Sequence, residues 1–304
     1  MTTDVVRAAA SQGHQQGVLA VVVVYERTLD RVAPWAALCA AMNATAVAEA
    51  DCGLVLRQVL VYDNSAVPKV LAQALPRWAH VVHDPANGGT AAAYRRALQD
   101  AQAAGLPWLL LLDDDTRLPD DLLAQAGAAL RCDAAPALPG AVLPRVRHGG
   151  DPVSPARITR WGSMRPLACD EPGTAVPALT GIASGALVQV QAWRALAPLP
   201  EALWLDYVDH WVFAGLRRQG HALRVSGAVL EHDLSVSEPR RLSERRLASI
   251  LAGEALFTRT LGWPARWLQP LRLLWRALRV SPLGLAQRAG IVGHLVRGGC
   301  WRRG

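Results

Sequence analysis

The chain has 304 residues, 51% of them hydrophobic and 19% charged, with a net charge of +7. That length and composition exclude a disordered, fibrous or repeat protein and allow one large domain or two small ones. No apolar run approaches the ~20 residues that cross a bilayer.

The charge is unevenly placed. Nine arginines and no acid follow Glu254, so the C-terminal fifty residues hold more than the whole net charge and the remainder is slightly acidic. The body therefore does not read as a nucleic-acid binder, whereas the tail calls for a partner or a surface. The five cysteines (Cys39, Cys52, Cys132, Cys169 and Cys300) are odd in number and lack metal-site spacing. A reduced compartment suits them. The first apolar run, 18–24, has no small-residue cleavage site after it and does not read as a signal peptide. The expected location is cytoplasmic, or peripheral on the inner face of the plasma membrane.

After a tail over 1–17, residues 18–24 predict a buried strand, and a helical stretch follows from 28 to about 50, with Asp30 and Pro34 near its start. A second strand over 55–62 ends at Asp63-Asn64-Ser65, a turn signal. A short helix over 67–75 leads to a strand at 80–83, then to the loop from Asp84 through Asn87, Gly88 and Gly89. An alanine-rich helix over 91–103 is closed by Gly105.

Residues 106–112 are apolar and too few for a stable helix, which predicts a strand buried on both faces. Asp113, Asp114 and Asp115 follow at once. Like charges this close repel, and a cation relieves them. On an extended chain Asp113 and Asp115 share one side and Asp114 the other. Two hard oxygen donors plus a substrate's phosphates suit Mg2+ or Mn2+. The plainer alternative is a solvated acidic turn. Pro119-Asp120-Asp121 opens another helix, its aspartates favoured by the helix dipole.

Strand–helix alternation over 18–131 predicts a parallel sheet with helices on both faces and a site at the carboxyl ends of its strands. Four strand ends meet there: Tyr25-Glu26, Asp63-Asn64, the Asp84 to Gly89 loop, and the three acids. Neither the GxGxxG nor the Walker phosphate loop is present. A nucleotide would be held by loops, by metal and by the backbone N–H groups of Gly88 and Gly89 at a helix N-terminus.

From 148 to 177 the chain is rich in Pro, Gly and Arg, includes Trp161, and reads as a long irregular insertion. Order returns over 180–190, a small-residue turn entering a strand. Trp204-Leu-Asp206-Tyr-Val-Asp209-His210-Trp211 then opens an amphipathic helix that stops at Gly220. Asp206 and Asp209 share a helical face. One reading makes Asp206 the N-cap and Asp209 a first-turn charge. The other makes Trp204, Tyr207 and Trp211 a sugar-binding or water-excluding wall around two working acids. Residues 229–233 form a strand end that presents His232 between Glu231 and Asp233.

In their order and spacing these pieces resemble the inverting glycosyltransferases of family 2, with the GT-A fold, and within them the rhamnosyl- and galactofuranosyl-transferase-like enzymes of bacterial polysaccharide synthesis. The matching pieces span about 18–235: the strand over 18–25, Val61-Tyr-Asp63-Asn64, Asn87-Gly-Gly with its helix, Leu112-Asp-Asp-Asp-Thr-Arg-Leu-Pro119, Ser184-Gly185, Asp206-Tyr-Val-Asp209 and Leu230-Glu-His232. The resemblance implies an α/β GT-A catalytic domain over 18–237, followed over 238–304 by a basic, amphipathic helical region.

It further implies that Tyr25, Glu26 and Asp63 line the nucleoside pocket, that Asn87 and Gly88 lie near the donor, and that Arg95 approaches its phosphates. Asp113 and Asp115 would hold the metal with His232 as third ligand, Asp114 would lie near the ribose, and Asp209 would be the base, with Asp206 as fallback. Trp161, Trp204 and Trp211 are candidates for the acceptor side. Many relatives carry an acid two positions after the base, where this chain has Trp211.

The chemistry suits these residue types. Sugar transfer needs a base for the acceptor hydroxyl and charge neutralisation on the departing diphosphate. One base without a covalent partner inverts the anomeric centre. Two other classes compete: a non-catalytic nucleotide-sugar-binding or scaffold subunit, and a nucleotidyltransferase. The latter lacks its Gly-rich, Lys-bearing loop, Lys69 being the only lysine.

The tail over 264–279 places Trp267, Leu271, Leu274, Trp275 and Leu278 on one helical face, and a second amphipathic stretch covers about 283–296. Such helices either lie on a membrane, which suits a lipid-linked acceptor, or pack on the catalytic domain with their arginines solvated.

Overall fold

The computed structural model describes residues 15–44, 53–71, 75–131, 138–167, 176–196, 198–231, 243–278 and 285–296. In chain order its elements are β1 (Gln16–Val24), α1 (Trp35–Ala44), β2 (Leu54–Asp63), β3 (Ala79–His83), α2 (Gly89–Ala103), β4 (Trp108–Asp113) and α3 (Leu122–Leu130). Then come β5 (Ala141–His148), β6 (Asp151–Ser154), β7 (Ala156–Ile158), β8 (Met164–Pro166), β9 (Leu179–Thr180), β10 (Ala186–Gln189) and α4 (Val190–Arg194). The last are α5 (Val208–Arg218), β11 (Leu223–Glu231), α6 (Glu244–Thr260), α7 (Trp263–Leu278) and α8 (Leu285–Val296).

The main sheet runs β11-β5-β10-β4-β1-β2-β3, with β6 paired to β5, and a small second sheet runs β8-β7-β9. β10 is antiparallel to both neighbours and β6 to β5; the other main-sheet pairs are parallel. The sheet is therefore mixed, not purely parallel. A strand that enters from a tight turn beside its neighbour, as β10 does, has no crossover to reverse it.

The continuous apolar runs of β1 and β4 are explained by cover on both faces. Leu19, Val21, Leu109 and Leu111 pack into one buried cluster with Tyr94 of α2 and Val212 of α5. Their alternates Val18, Ala20, Val22, Leu110 and Leu112 pack into a second, with Leu38 of α1 and Leu122 and Ala126 of α3. Period-two alternation thus splits one apolar string between two cores.

Three expectations are corrected. The helix expected from 28 begins at Trp35 after a single 3-10 turn at Leu29–Arg31, because Pro34 disfavours helix at the residue before it; residues 45–50 lie outside the described residues. No helix forms over the described part of 67–75, where the N–H groups of Lys69 and Val70 instead donate to the Asp63 carboxylate at 2.7 and 3.2 Å. The stretch expected to be irregular from 148 supplies β6, β7 and β8, and β5 precedes it unforeseen. Cys39 is a free thiol; the other four cysteines lie outside the described residues.

Arg224 of β11 is 1% exposed. Its guanidinium donates to the carbonyls of Ala129 and Leu130 at 2.9 and 3.0 Å, closing the C-terminal end of α3 where a cation is favoured. Arg224→Met leaves those carbonyls without that donor and is expected to cost about 2–4 kcal/mol in urea unfolding; an unchanged midpoint would show that the cap contributes nothing.

Candidate active site

The carboxyl end of β4 is the centre. Asp113, its last residue, accepts a hydrogen bond through Oδ2 from the Ser184 hydroxyl at 2.6 Å. Ser184 lies in the turn that leads into β10. The residue before it, Ala183, donates its backbone N–H to Oδ2 of Asp209 at 3.1 Å. Two consecutive residues therefore hold Asp113 from β4 and Asp209 from α5, which are 96 positions apart in the chain. Gly185 completes the turn at φ +76°, and a Cβ there would come within 2.5 Å of the Leu230 side chain. Asp209 also accepts from the His210 N–H at 2.7 Å.

Beneath this pair lies Tyr94 of α2, fully buried, with its ring edge-on to Trp193. Its hydroxyl has no hydrogen-bond partner among the described residues. Burial, reinforced by the charges of Asp113 and Asp209, pushes its pKa well above the usual phenol value. Tyr94 was not foreseen, since a tyrosine on an alanine-rich helix reads as core.

Asp114 faces the other way, as the alternation of an extended chain predicts. Its Oδ2 accepts from the Tyr25 N–H at 3.1 Å, and Arg27 lies 3.5 Å from its Oδ1. Asp115 follows in the turn, its Oδ1 buried. Past it, the Arg117 N–H donates to the Glu231 carbonyl at 3.3 Å, which pins the end of β11 beside the acidic strand end. His232, the next residue, lies outside the described residues.

On the flank, Asp63 is buried and its carboxylate accepts from the backbone of Ser65, Lys69 and Val70. Desolvation alone would raise its pKa, but those hydrogen bonds outweigh it and the net shift is downward. Asp63 therefore shapes the 64–70 loop with its carboxylate oxygens. Glu26 pairs with Lys69 at 2.9 Å, its N–H donates to the Ser65 hydroxyl, and Tyr25 is exposed.

The Asn87-Gly88-Gly89 turn is held from three sides. Asp84 accepts from Gly88 N–H at 2.9 Å, Asn64 from Gly89 N–H at 3.1 Å, and Trp204 Nε1 donates to the Asn87 carbonyl at 2.6 Å. A Cβ on Gly89, which has φ +70°, would come within 2.5 Å of the Trp204 carbonyl. Only glycine fits. Arg95 is exposed on α2, near enough to Tyr62 for its charge to be felt there.

The aromatic wall is corrected in part. Trp204 is at the site, clamping the glycine turn, with Arg245 of α6 stacked on its ring at 4.0 Å. Trp211 is 7% exposed within the main core, because it lies on the face of α5 turned to the sheet. Trp161 sits in the turn between β7 and β8, where Arg272 of α7 donates to its carbonyl. It belongs with the C-terminal helices, away from the acids.

Asp206 does not cap α5. The N-cap is Tyr207, at φ +67°, and the Asp206 carboxylate lies 3.4 Å from Arg246 of α6. Burial raises its pKa, Arg246 opposes that, and Asp209 adds to it. Arg245 and Arg246, unread in the sequence as site residues, enter because the N-terminal turn of α6 abuts the 204–207 segment. Midway along α6, Gly253 leaves no room for a Cβ beside Tyr207.

This architecture has the GT-A-like glycosyltransferase fold. The comparison that carries it is with a crystal structure of TarS 1-349 from S. aureus, at a TM-score of 0.51 and 14% identity, covering 94% of this chain and 80% of that one. The chain matches no protein-family profile and no curated protein. In all, 303 chains of solved structures match it, so the fold is widely shared and does not itself choose a substrate.

Burial is the main cause that pushes the Asp114 pKa up to about 6 from 3.8. Between about pH 4 and pH 6 the folded protein then binds the proton more tightly than the unfolded chain, so stability falls as pH rises through that window. Asp114→Asn keeps an acceptor for Tyr25 and lacks the charge. In chelator, its stability advantage over the parent is expected to grow by about 3 kcal/mol between pH 4 and pH 7.5. A pH-independent difference would contradict the assignment.

Proposed function

We propose that the chain is an inverting, metal-dependent glycosyltransferase. It moves a sugar from a nucleoside-diphosphate donor to a glycan or lipid-linked acceptor in bacterial cell-surface polysaccharide synthesis. The observation that carries the reading is the joint tether of Asp113 and Asp209 by Ser184 and Ala183, which sets a donor-side acid and a candidate base on either side of one turn. The rhamnosyl- and galactofuranosyl-transferase-like subgroup remains the one the motifs resemble.

The donor set suits a hard divalent cation. Among the described residues no three His, Cys, Asp or Glu side chains converge in a ligating group. The described protein share is therefore the carboxylates of Asp113 and Asp115, a small share of the kind Mg2+ or Mn2+ accepts when phosphates and water fill the other positions. Ser184 would act on Asp113 as an outer partner that fixes the carboxylate's orientation. The hydrogen bond from Arg117 to Glu231 supports His232 as a further ligand, since it fixes the residue that precedes it. Such an ion, when bound, neutralises charge on the leaving diphosphate.

Asp209 would take the proton from the acceptor hydroxyl, its orientation set by Ala183 N–H. Asp206 is the weaker candidate because Arg246 engages it. The N–H groups of Gly88 and Gly89, expected to hold the nucleotide, are instead taken by Asp84 and Asn64, so the turn they form, clamped by Trp204, would line the donor pocket by shape, with Asp114 toward the ribose. With one base across from the leaving group, direct displacement inverts the anomeric carbon.

Incubation with a panel of nucleoside-diphosphate sugars and Mn2+ is expected to show slow, metal-dependent hydrolysis of one donor. Binding without any turnover would leave a scaffold role. With that donor, Asp209→Asn should lower turnover by about 100- to 10,000-fold while nucleotide affinity stays within a few-fold. Asp115→Ala should weaken Mn2+-dependent nucleotide binding itself, read by calorimetry. A fully active Asp209→Asn removes that residue from the base role.

A further inference from the structure

The apolar face that the sequence marks on α7 is the one left outside, and a different side of the helix packs. α7 docks through Ala265, Gln269 and Leu273, each 0–1% exposed, Leu273 joining Leu247, Leu251 and Ile291 in a small core shared with α6 and α8. Gly162 of the β7–β8 turn sits against Ala265, and Arg272 bonds the carbonyl of Trp161. α7 is thus held on the catalytic part by its Ala265–Gln269–Leu273 side.

The other side carries Trp263, Trp267, Leu271, Leu274 and Trp275. Trp263 is 74% exposed and the rest 44–62%. Their spacing of three and four makes one continuous stripe. A stripe holding three indoles on a monomer's surface is unusual, because exposed apolar residues are normally scattered. The helix that bears it is as one-sided in charge as in polarity: Arg266 and Arg272 border the stripe on α7, and no acid follows Glu254. Indole rings at a polar boundary, flanked by arginine alone, match the interface of a bilayer with anionic headgroups. A protein partner would more often meet charges of both signs.

We propose that α7 docks the protein on an anionic lipid surface, with the Trp263–Trp267–Leu271–Leu274–Trp275 stripe in the headgroup layer and Arg266 beside it on lipid phosphates. The lipid-bound helix is joined through Leu261 and Gly262 to α6, whose other end places Arg245 on Trp204 and Arg246 on Asp206. The site is thereby held at a fixed attitude to the membrane. This goes beyond the glycosyltransferase reading and does not depend on it.

The test uses the full chain in flotation with phosphatidylcholine vesicles, with and without phosphatidylglycerol. Flotation with the anionic vesicles, its loss in high salt, and a blue shift of tryptophan emission are expected. Trp263→Ser/Trp267→Ser/Trp275→Ser should lower partitioning at least about tenfold with an unchanged unfolding midpoint, since those rings lie outside the core. Failure of the parent protein to float at low salt, or equal binding by the triple variant, would overturn the proposal. So would light scattering that shows a dimer dissociated by the triple variant without vesicle binding. Because no readout involves turnover, its failure and that of the transfer reaction are separately visible.

Discussion

Everything about the site depends on one turn. Ala183 offers a backbone N–H and Ser184 a hydroxyl, and between them they hold carboxylates delivered by a central strand and by a helix from the far half of the chain. Two acids of like charge separate unless something fixes them, and hydrogen bonds to their charged forms do so at little cost in flexibility. The antiparallel strand β10 is what puts the turn there. It is inserted between β4 and β5 and starts beside the end of β4.

Around that turn the backbone is bent into conformations that L-residues rarely adopt. Glu26, Asn87 and Tyr207 have φ of +52°, +51° and +67°. Each lies in a loop that carries a site group: Glu26 beside Tyr25, Asn87 beside the glycine turn, Tyr207 between Asp206 and Asp209. Strain of this kind persists only where neighbours over-determine it. Here they do, through Ser65 on Glu26, Trp204 and Arg245 on Asn87, and α6 on Tyr207. The helix α6 is therefore a structural member of the site.

Much of the frame was legible because it rests on local chemistry. The strands at 18–24 and 55–62 and the acidic strand end announce themselves through buried apolar runs that stop at polar turns, and the opposite facing of Asp113 and Asp114 follows from the pleat. The local signals failed where a distant group intervened. Residues 67–71 could not be read as loop from their own composition, because Asp63 captures their N–H groups. Trp211 looked like a wall beside Asp209, yet two positions along the helix, about 200°, turn it into the core. Ser184, Tyr94, Arg245 and Arg246 have ordinary residue types in ordinary contexts, and only contacts across 71 positions or more, as between Ser184 and Asp113, give Ser184 its part.

The most direct test is a crystal grown with Mn2+ and a nucleoside diphosphate. Anomalous density from the manganese between Asp113, Asp115 and the diphosphate, with Asp209 facing it across an open acceptor space and Ser184 still bonded to Asp113, is the predicted result. Manganese bound elsewhere, with the three consecutive acids in solvent and the nucleotide away from the Gly88–Gly89 turn, would contradict the account.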